Sequence, residues 1–164
     1  MTAAVPTIHA TCVAVAGEGI LIRGEPGAGK SVLALQLLER CRGDGVPAAL
    51  VGDDRVALET VGAVVVARGH PAIEGLIEMR GVGLCRVETC AQAPLRLVVD
   101  LVTSAPRVPE DDGTVALHGV RLRRLVLERG LCRSGLAPLL VLRALAVSSQ
   151  PHSRTGEMVL DLRP

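Results

Sequence analysis

The sequence predicts an α/β domain built around a phosphate-binding loop, and three observations carry that reading. An apolar segment over residues 19–23 runs into the octapeptide Gly24-Glu25-Pro26-Gly27-Ala28-Gly29-Lys30-Ser31. A stretch of helix formers without Gly or Pro follows over residues 30–41. A second apolar segment, 48–51, then stops at Gly52-Asp53-Asp54. Strand, glycine-rich loop, helix and a strand ending in carboxylates is the order in which α/β domains hold phosphate. The second half is strand-rich and lacks regularly alternating helices, which argues against an ordinary doubly wound sheet.

The elements follow in order. Residues 10–15 and 19–23 read as strands about a hairpin-like turn at Gly17-Glu18. The helix over 30–41 places Leu33, Leu35, Leu37 and Leu38 and ends near Gly43-Asp44-Gly45. Residues 48–51 form a short buried strand, and 55–67 continue in β-branched style. Residues 72–77 fit a short helix or an extended segment equally well by periodicity. Residues 95–102 are a strand, 104–113 a polar loop with two prolines, and 115–127 paired strands about His118-Gly119. A leucine-rich helix spans 134–147, and the residues from about 148 onward read as a loosely held tail of one 164-residue domain.

Composition excludes several classes. The 164 residues are 49% apolar, enough for a core, and the formal net charge is +1. Near-neutral charge leaves no electrostatic footprint for nucleic acid. The chain has no Phe, Tyr or Trp, so it lacks the rings on which single strands stack, and a bound adenine must lie against aliphatic groups or Arg. The apolar runs reach only about ten residues, short of the roughly 18 that a membrane span needs, and no basic start precedes an apolar stretch as in a signal peptide. A soluble, cytoplasmic protein is expected. The five cysteines, Cys12, Cys41, Cys85, Cys90 and Cys132, contain no Cys-x-x-Cys and read as buried free thiols. Of the 18 basic residues, 17 are Arg, and the only lysine is Lys30, inside the glycine-rich loop. A compact ammonium suits phosphate as a point charge.

The loop carries the first chemistry. Its glycines permit backbone N–H groups to approach phosphate oxygens, and the helix starting at Lys30 adds the positive end of its dipole. Lys30 is expected to reach the β- and γ-phosphates and Ser31 to offer its hydroxyl to Mg²⁺. Asp53 and Asp54 form the second group. Adjacent carboxylates after a strand are often an acidic turn. Beside a phosphate loop, one can hold Mg²⁺ or its water while the other takes a proton from an attacking hydroxyl. Glu78-Met79-Arg80-Gly81-Val82-Gly83 reads by spacing alone as a turn with a surface salt bridge, and the lone His9 as structural.

Together, Ile8-His9-Ala10, the octapeptide, Leu50-Val51-Gly52-Asp53-Asp54 and Ile77-Glu78-Met79-Arg80-Gly81-Val82-Gly83 resemble the catalytic domain of bacterial HPr kinase/phosphorylase. The resemblance covers residues 8–147. Its Glu-x-Arg-Gly-x-Gly segment is far more specific than the phosphate loop. It implies a P-loop kinase domain similar to phosphoenolpyruvate carboxykinase around the nucleotide site. It also implies ATP and Mg²⁺ as cofactors and, as substrate, a serine of an HPr-like phosphocarrier protein of the sugar phosphotransferase system. The family's separate N-terminal domain is not expected here, as in short alphaproteobacterial members. Larger relatives form hexamers, which leaves a homo-oligomer open.

The resemblance lends roles to matching positions. His9 matches an active-site histidine near the aspartate or phosphate. Lys30 and Ser31 match phosphate and Mg²⁺ ligands, Asp53 the carboxylate that takes the serine proton, Asp54 its support, and Glu78 a Mg²⁺ ligand. Arg107, in the loop after the long strand, matches an active-site arginine. Val32 stands where an acidic residue is common, and a late Pro-Val-x-x-Gly-Arg pattern linked to dephosphorylation survives only as an echo in Leu127-Glu128-Arg129-Gly130-Leu131-Cys132-Arg133. A better kinase than phosphorylase is therefore expected. Two alternatives remain on sequence: a P-loop kinase of small molecules, and a nucleotide-binding regulatory module without catalysis.

Overall fold

The computed structural model describes residues 6–71, 75–109 and 111–148. The elements are β1 (Thr7–Ile8), β2 (Thr11–Val15), β3 (Glu18–Gly24), α1 (Lys30–Gly43), β4 (Ala48–Gly52), β5 (Val56–Val61), β6 (Val64–Gly69), β7 (Leu76–Met79), β8 (Gly83–Arg86), β9 (Gln92–Val102), β10 (Thr114–Leu117), β11 (Val120–Glu128), α2 (Gly130–Ser134) and α3 (Ala137–Ser148). Nine strands form one sheet in the order β1-β5-β6-β9-β3-β2-β4, with β11 also paired to β9 and β10 to β11, while β7 and β8 form a separate hairpin. Among the described residues only β3, β9 and β11 lie parallel to a neighbour along their length. The sheet is thus mixed and predominantly antiparallel, in keeping with the expectation of no ordinary doubly wound sheet.

Residues on the two sheet faces feed two cores. Ile20, Ile22, Leu97, Val99 and Leu101 pack with Leu33, Leu37 and Val141 from the helices. Leu21 and Val98 point the other way, to Cys12, Val51, Val56 and Val65. Burial on both faces explains why β3 and β9 read as nearly unbroken apolar runs rather than alternating ones. Cys12, Cys41 and Cys132 are buried free thiols, as expected, while Cys85 and Cys90 are half-buried.

Several boundaries differ from expectation. The first hairpin turns at Ala16-Gly17, one residue early, because Val15 pairs with Glu18. Both turn residues take positive φ, 49° and 81°, which matches the twist of a two-residue hairpin. The stretch 55–67 is itself a hairpin, β5 on β6. Of residues 72–77, the first three lie outside the described residues and Leu76 opens β7. The long strand starts at Gln92, since Pro94 is tolerated opposite Val66 where β9 meets β6 only briefly. The helix expected over 134–147 is α3 and starts three residues later, at Ala137, while Ser134 closes the short α2. Gly135, at φ 75°, ends α2 with Leu136 N–H bonded to Leu131 O and Gly135 N–H to Cys132 O. The supposed tail from 149 lies outside the described residues.

Candidate active site

β2 lies between β3 and β4 and runs antiparallel to both. β3 and β4 are therefore parallel to each other, and their carboxyl ends lie beside the start of β2. Three segments meet there: the glycine-rich loop after β3, the turn Asp53-Asp54 after β4, and residues 9–11 leading into β2.

Gly27 and Gly29 adopt φ of 78° and 102°, which a side chain would disfavour. A Cβ on Gly24 would stand 2.9 Å from the Leu101 carbonyl oxygen, so only glycine lets β3 enter the loop this close to β9. The loop is otherwise tied by Ala28 N–H to Glu25 O (3.0 Å), and α1 begins with Leu33 N–H to Gly29 O (2.9 Å). No side chain caps α1, and no acidic residue stands in its first turn. Its first N–H groups are open to an anion, and the dipole favours one there.

Lys30 is 5% exposed. Its Nζ donates to Gly24 O (2.9 Å), Glu25 O (3.1 Å) and His9 Nε2 (3.1 Å). All three ammonium protons are thus engaged, two by loop carbonyls and one by His9. Burial lowers the lysine pKa, and the charges of Asp54 and Asp53 oppose that shift. Because Nζ donates, His9 Nε2 accepts, which leaves the ring proton on Nδ1, the nitrogen 3.8 Å from Asp54 Oδ1. Asp54 itself turns at φ 61°.

Asp53 is 6% exposed. Thr11 Oγ1 donates to its Oδ1 at 2.6 Å, and Ser31 Oγ lies 3.1 Å from Oδ1 and 3.1 Å from Oδ2. Burial raises the Asp53 pKa, the Thr11 and Ser31 hydrogen bonds pull it back, and the Asp54 charge adds to the rise. A carboxylate shifted upward is a better proton acceptor near neutrality. Ser31 offers a hard oxygen, the donor type that Mg²⁺ selects, beside the Asp53 carboxylate. With the open amides of α1 and the lysine, this donor set fits a magnesium-bound nucleotide phosphate.

The structure thus brings His9, Lys30, Ser31, Asp53 and Asp54 together around Gly24–Ser31. Glu78 is exposed on β7 between the buried Ile77 and half-buried Met79 and makes no hydrogen bond to Ser31 or Asp53. Arg107 lies exposed in the loop after β9 without a partner among the described residues. Among those residues no group of three His, Cys, Asp or Glu side chains could by itself hold a metal.

Two features escape sequence reasoning. One is Thr11, an apolar-looking strand position. The other is Asp100, which accepts from Arg23 Nε (2.7 Å), Arg23 Nη2 (2.8 Å) and Arg124 Nε (2.6 Å), near the carboxyl ends of β3 and β9 and the middle of β11. Its signal was an apolar run ending in one acid, with Arg23 just before the glycine-rich loop. A cavity of about 350 Å³ adjoins it, lined by Gly24, Glu25, Ala28, Leu101, Arg124 and Arg129 among others. Glu128 is exposed at the end of β11 and accepts from Ala105 N–H at 3.0 Å.

The family model for the HPr serine kinase C-terminal domain matches residues 1–123. The chain belongs to this family. Among related sequences, the HPr kinase/phosphorylase of Bordetella petrii is 33% identical over 136 residues, which is 74% of this chain and 42% of that protein. The HPr kinase/phosphorylase of Mycoplasma mycoides is 34% identical over 101 residues, 57% of this chain and 30% of that protein. The chain therefore spans well under half the length of these curated relatives. The fold is also that of a solved HPr(Ser) kinase/phosphatase from Coxiella burnetii, with a TM-score of 0.69, 24% identity, and coverage of 88% of this chain and 99% of that one. The α/β kinase-domain fold expected from the motifs is thereby established.

Proposed function

We propose that this domain transfers the γ-phosphoryl group of ATP to a seryl hydroxyl on an HPr-like phosphocarrier protein. The observation that carries the reading is Asp53, a buried carboxylate hydrogen-bonded to the phosphate-loop serine and one strand away from Lys30. Family membership supports the acceptor, since the matched relatives are HPr kinases by name.

In this mechanism the loop amides and Lys30 hold the phosphates. Lys30 exchanges its carbonyl partners on Gly24 and Glu25 for phosphate oxygens. Ser31 would hold Mg²⁺, which when bound neutralises charge on the phosphates. Glu78 would add a further Mg²⁺ ligand and Arg107 a cation for the transferring group. Asp53 takes the serine proton as the serine oxygen forms its bond to the γ-phosphorus and the bond to the bridging oxygen breaks. His9 holds Lys30 through Nε2, and Asp54 orients His9. The nucleoside extends into the cavity beside Gly24, where Ala28 and Leu101 supply the aliphatic wall a ring-free chain must use. The substrate implies a cytoplasmic setting, and assembly with further copies is compatible with it.

Incubation with labelled ATP, Mg²⁺ and purified HPr tests the reading. Label on a serine of HPr is the expected result. Nucleotide binding without transfer would leave a regulatory module, and transfer to a small molecule alone would leave the other kinase class.

A further inference from the structure

We infer that Thr11 is a positioning residue, which holds the Asp53 carboxylate so that Oδ2 is the oxygen that receives the acceptor proton. This rests on the transfer reaction proposed above. Every residue of β2 is buried, and Thr11 is the one polar side chain in Thr11-Cys12-Val13-Ala14-Val15. A hydroxyl at a fully buried strand position is costly unless it is bonded, and an isosteric valine would serve packing better. Its hydrogen bond runs to a residue 42 positions away, Asp53, at 2.6 Å.

That bond makes the two carboxylate oxygens inequivalent. Oδ1 accepts from Thr11 and also faces Ser31, whereas Oδ2 faces Ser31 at 3.1 Å and has no bond from Thr11; the Asp54 backbone N–H is a further donor to the carboxylate. The single hydroxyl proton of Ser31 serves one of the two at a time. Thr11 binds Oδ1 whichever way Ser31 turns, for instance when the Ser31 oxygen faces a metal. Rotation about the terminal torsion of an aspartate is soft, so without the Thr11 tether only Ser31 and the neighbouring Asp54 N–H restrain the carboxylate. Thr11 comes from β2 and Asp53 from the turn after β4, adjacent strands of one sheet, so the tether is anchored to the rigid part of the fold. In the transfer step the acceptor oxygen bonds to the γ-phosphorus, the bridging oxygen departs with ADP, and the acceptor proton goes to Oδ2 and then to solvent. Misplacing that oxygen slows the step without loosening the phosphate loop.

The test compares Thr11→Val, which removes the hydroxyl and keeps the branched shape, with Thr11→Ser, which keeps the hydroxyl. With labelled ATP and HPr, T11V is expected to lose about 10²-fold in kcat with KM for ATP within about twofold of wild type, and T11S to recover kcat to within about threefold. A crystal structure of T11V should show the carboxylate turned from its place against Ser31. If T11V does not fold, Thr11→Ala replaces it in both measurements. Wild-type kcat in a folded variant lacking the hydroxyl overturns the inference, as does a T11S enzyme as slow as T11V. If the wild-type protein does not label HPr at all, the transfer reading fails, and the carboxylate orientation in T11V alone decides the role of Thr11: turned supports it, unmoved overturns it.

Discussion

Replacing Asp100 with Asn should destabilise the domain at neutral pH and leave it unaffected in acid. Asp100 is 12% exposed in its side chain and is gripped by Arg23 and Arg124, each 29% exposed. Burial alone would raise the Asp100 pKa, but the hydrogen bonds and charges of Arg23 and Arg124 overcome it and hold the carboxyl below its ordinary value. The amide keeps the size and one acceptor, yet turns an N–H₂ toward two guanidinium groups and removes the charge between them. Breaking a fully buried pair costs about 3–5 kcal/mol. Partial exposure screens these arginines, and Arg124 keeps Asp111 at 3.0 Å, so a smaller loss is expected, about 2–3 kcal/mol. For a domain of this size, that lowers Tm by about 5–10 °C. The sign with pH follows from the depressed pKa. The stabilisation is complete above the unfolded-state value of a carboxyl and is lost as pH falls through the lower folded-state value. The Tm gap between wild type and D100N should therefore close on acidification. Thermal unfolding followed by circular dichroism across pH measures it. Equal Tm values at neutral pH, or a gap that widens in acid, would refute the reasoning.

Three further outcomes are expected. Lys30→Ala should abolish transfer and strongly weaken ATP binding in calorimetry, because the chain has no other lysine; unchanged binding would contradict the phosphate-loop assignment. Asp53→Asn should bind ATP nearly normally and lose about 10²–10⁴ in transfer rate, since an amide fills the site but takes no proton. A wild-type rate there would move the base to another residue, Asp54 first. With phosphorylated HPr and excess inorganic phosphate, pyrophosphate release should be slower than forward transfer. Two anions must be held together in that direction, and the segment from Leu127 to Arg133 keeps only an echo of the pattern linked to it. Comparable rates would show that the altered segment is not limiting.

Local chemistry was legible in the chain. The run without Gly or Pro after the phosphate loop is α1, and His118-Gly119 is a tight turn with φ of 49° and 79°. These features depend on neighbours in sequence, so composition and spacing report them. Where a local rule competed with pairing, it misled. Gly17-Glu18 looked like the turn, but the register of β2 against β3 moved it back by one residue. Leucine-rich composition set the last helix to start at Ser134, but left-handed Gly135 ends α2 there and α3 begins only at Ala137.

The phosphate loop and the pair Asp53-Asp54 could be named from sequence, because each is a short contiguous motif with its own chemistry. Their meeting could not. Nothing local states that β4 pairs with β2 rather than with β3, and that antiparallel sandwich is what brings the carboxyl ends of β3 and β4 beside the start of β2. The same long-range pairing set Thr11 against Asp53 and set Asp100 between arginines 77 residues before it and 24 residues after it. A polar side chain in an apolar strand has no periodic signature of its partner. Its hydrogen bond exists only once the sheet has closed, so the tertiary structure alone decided which buried oxygens face each other.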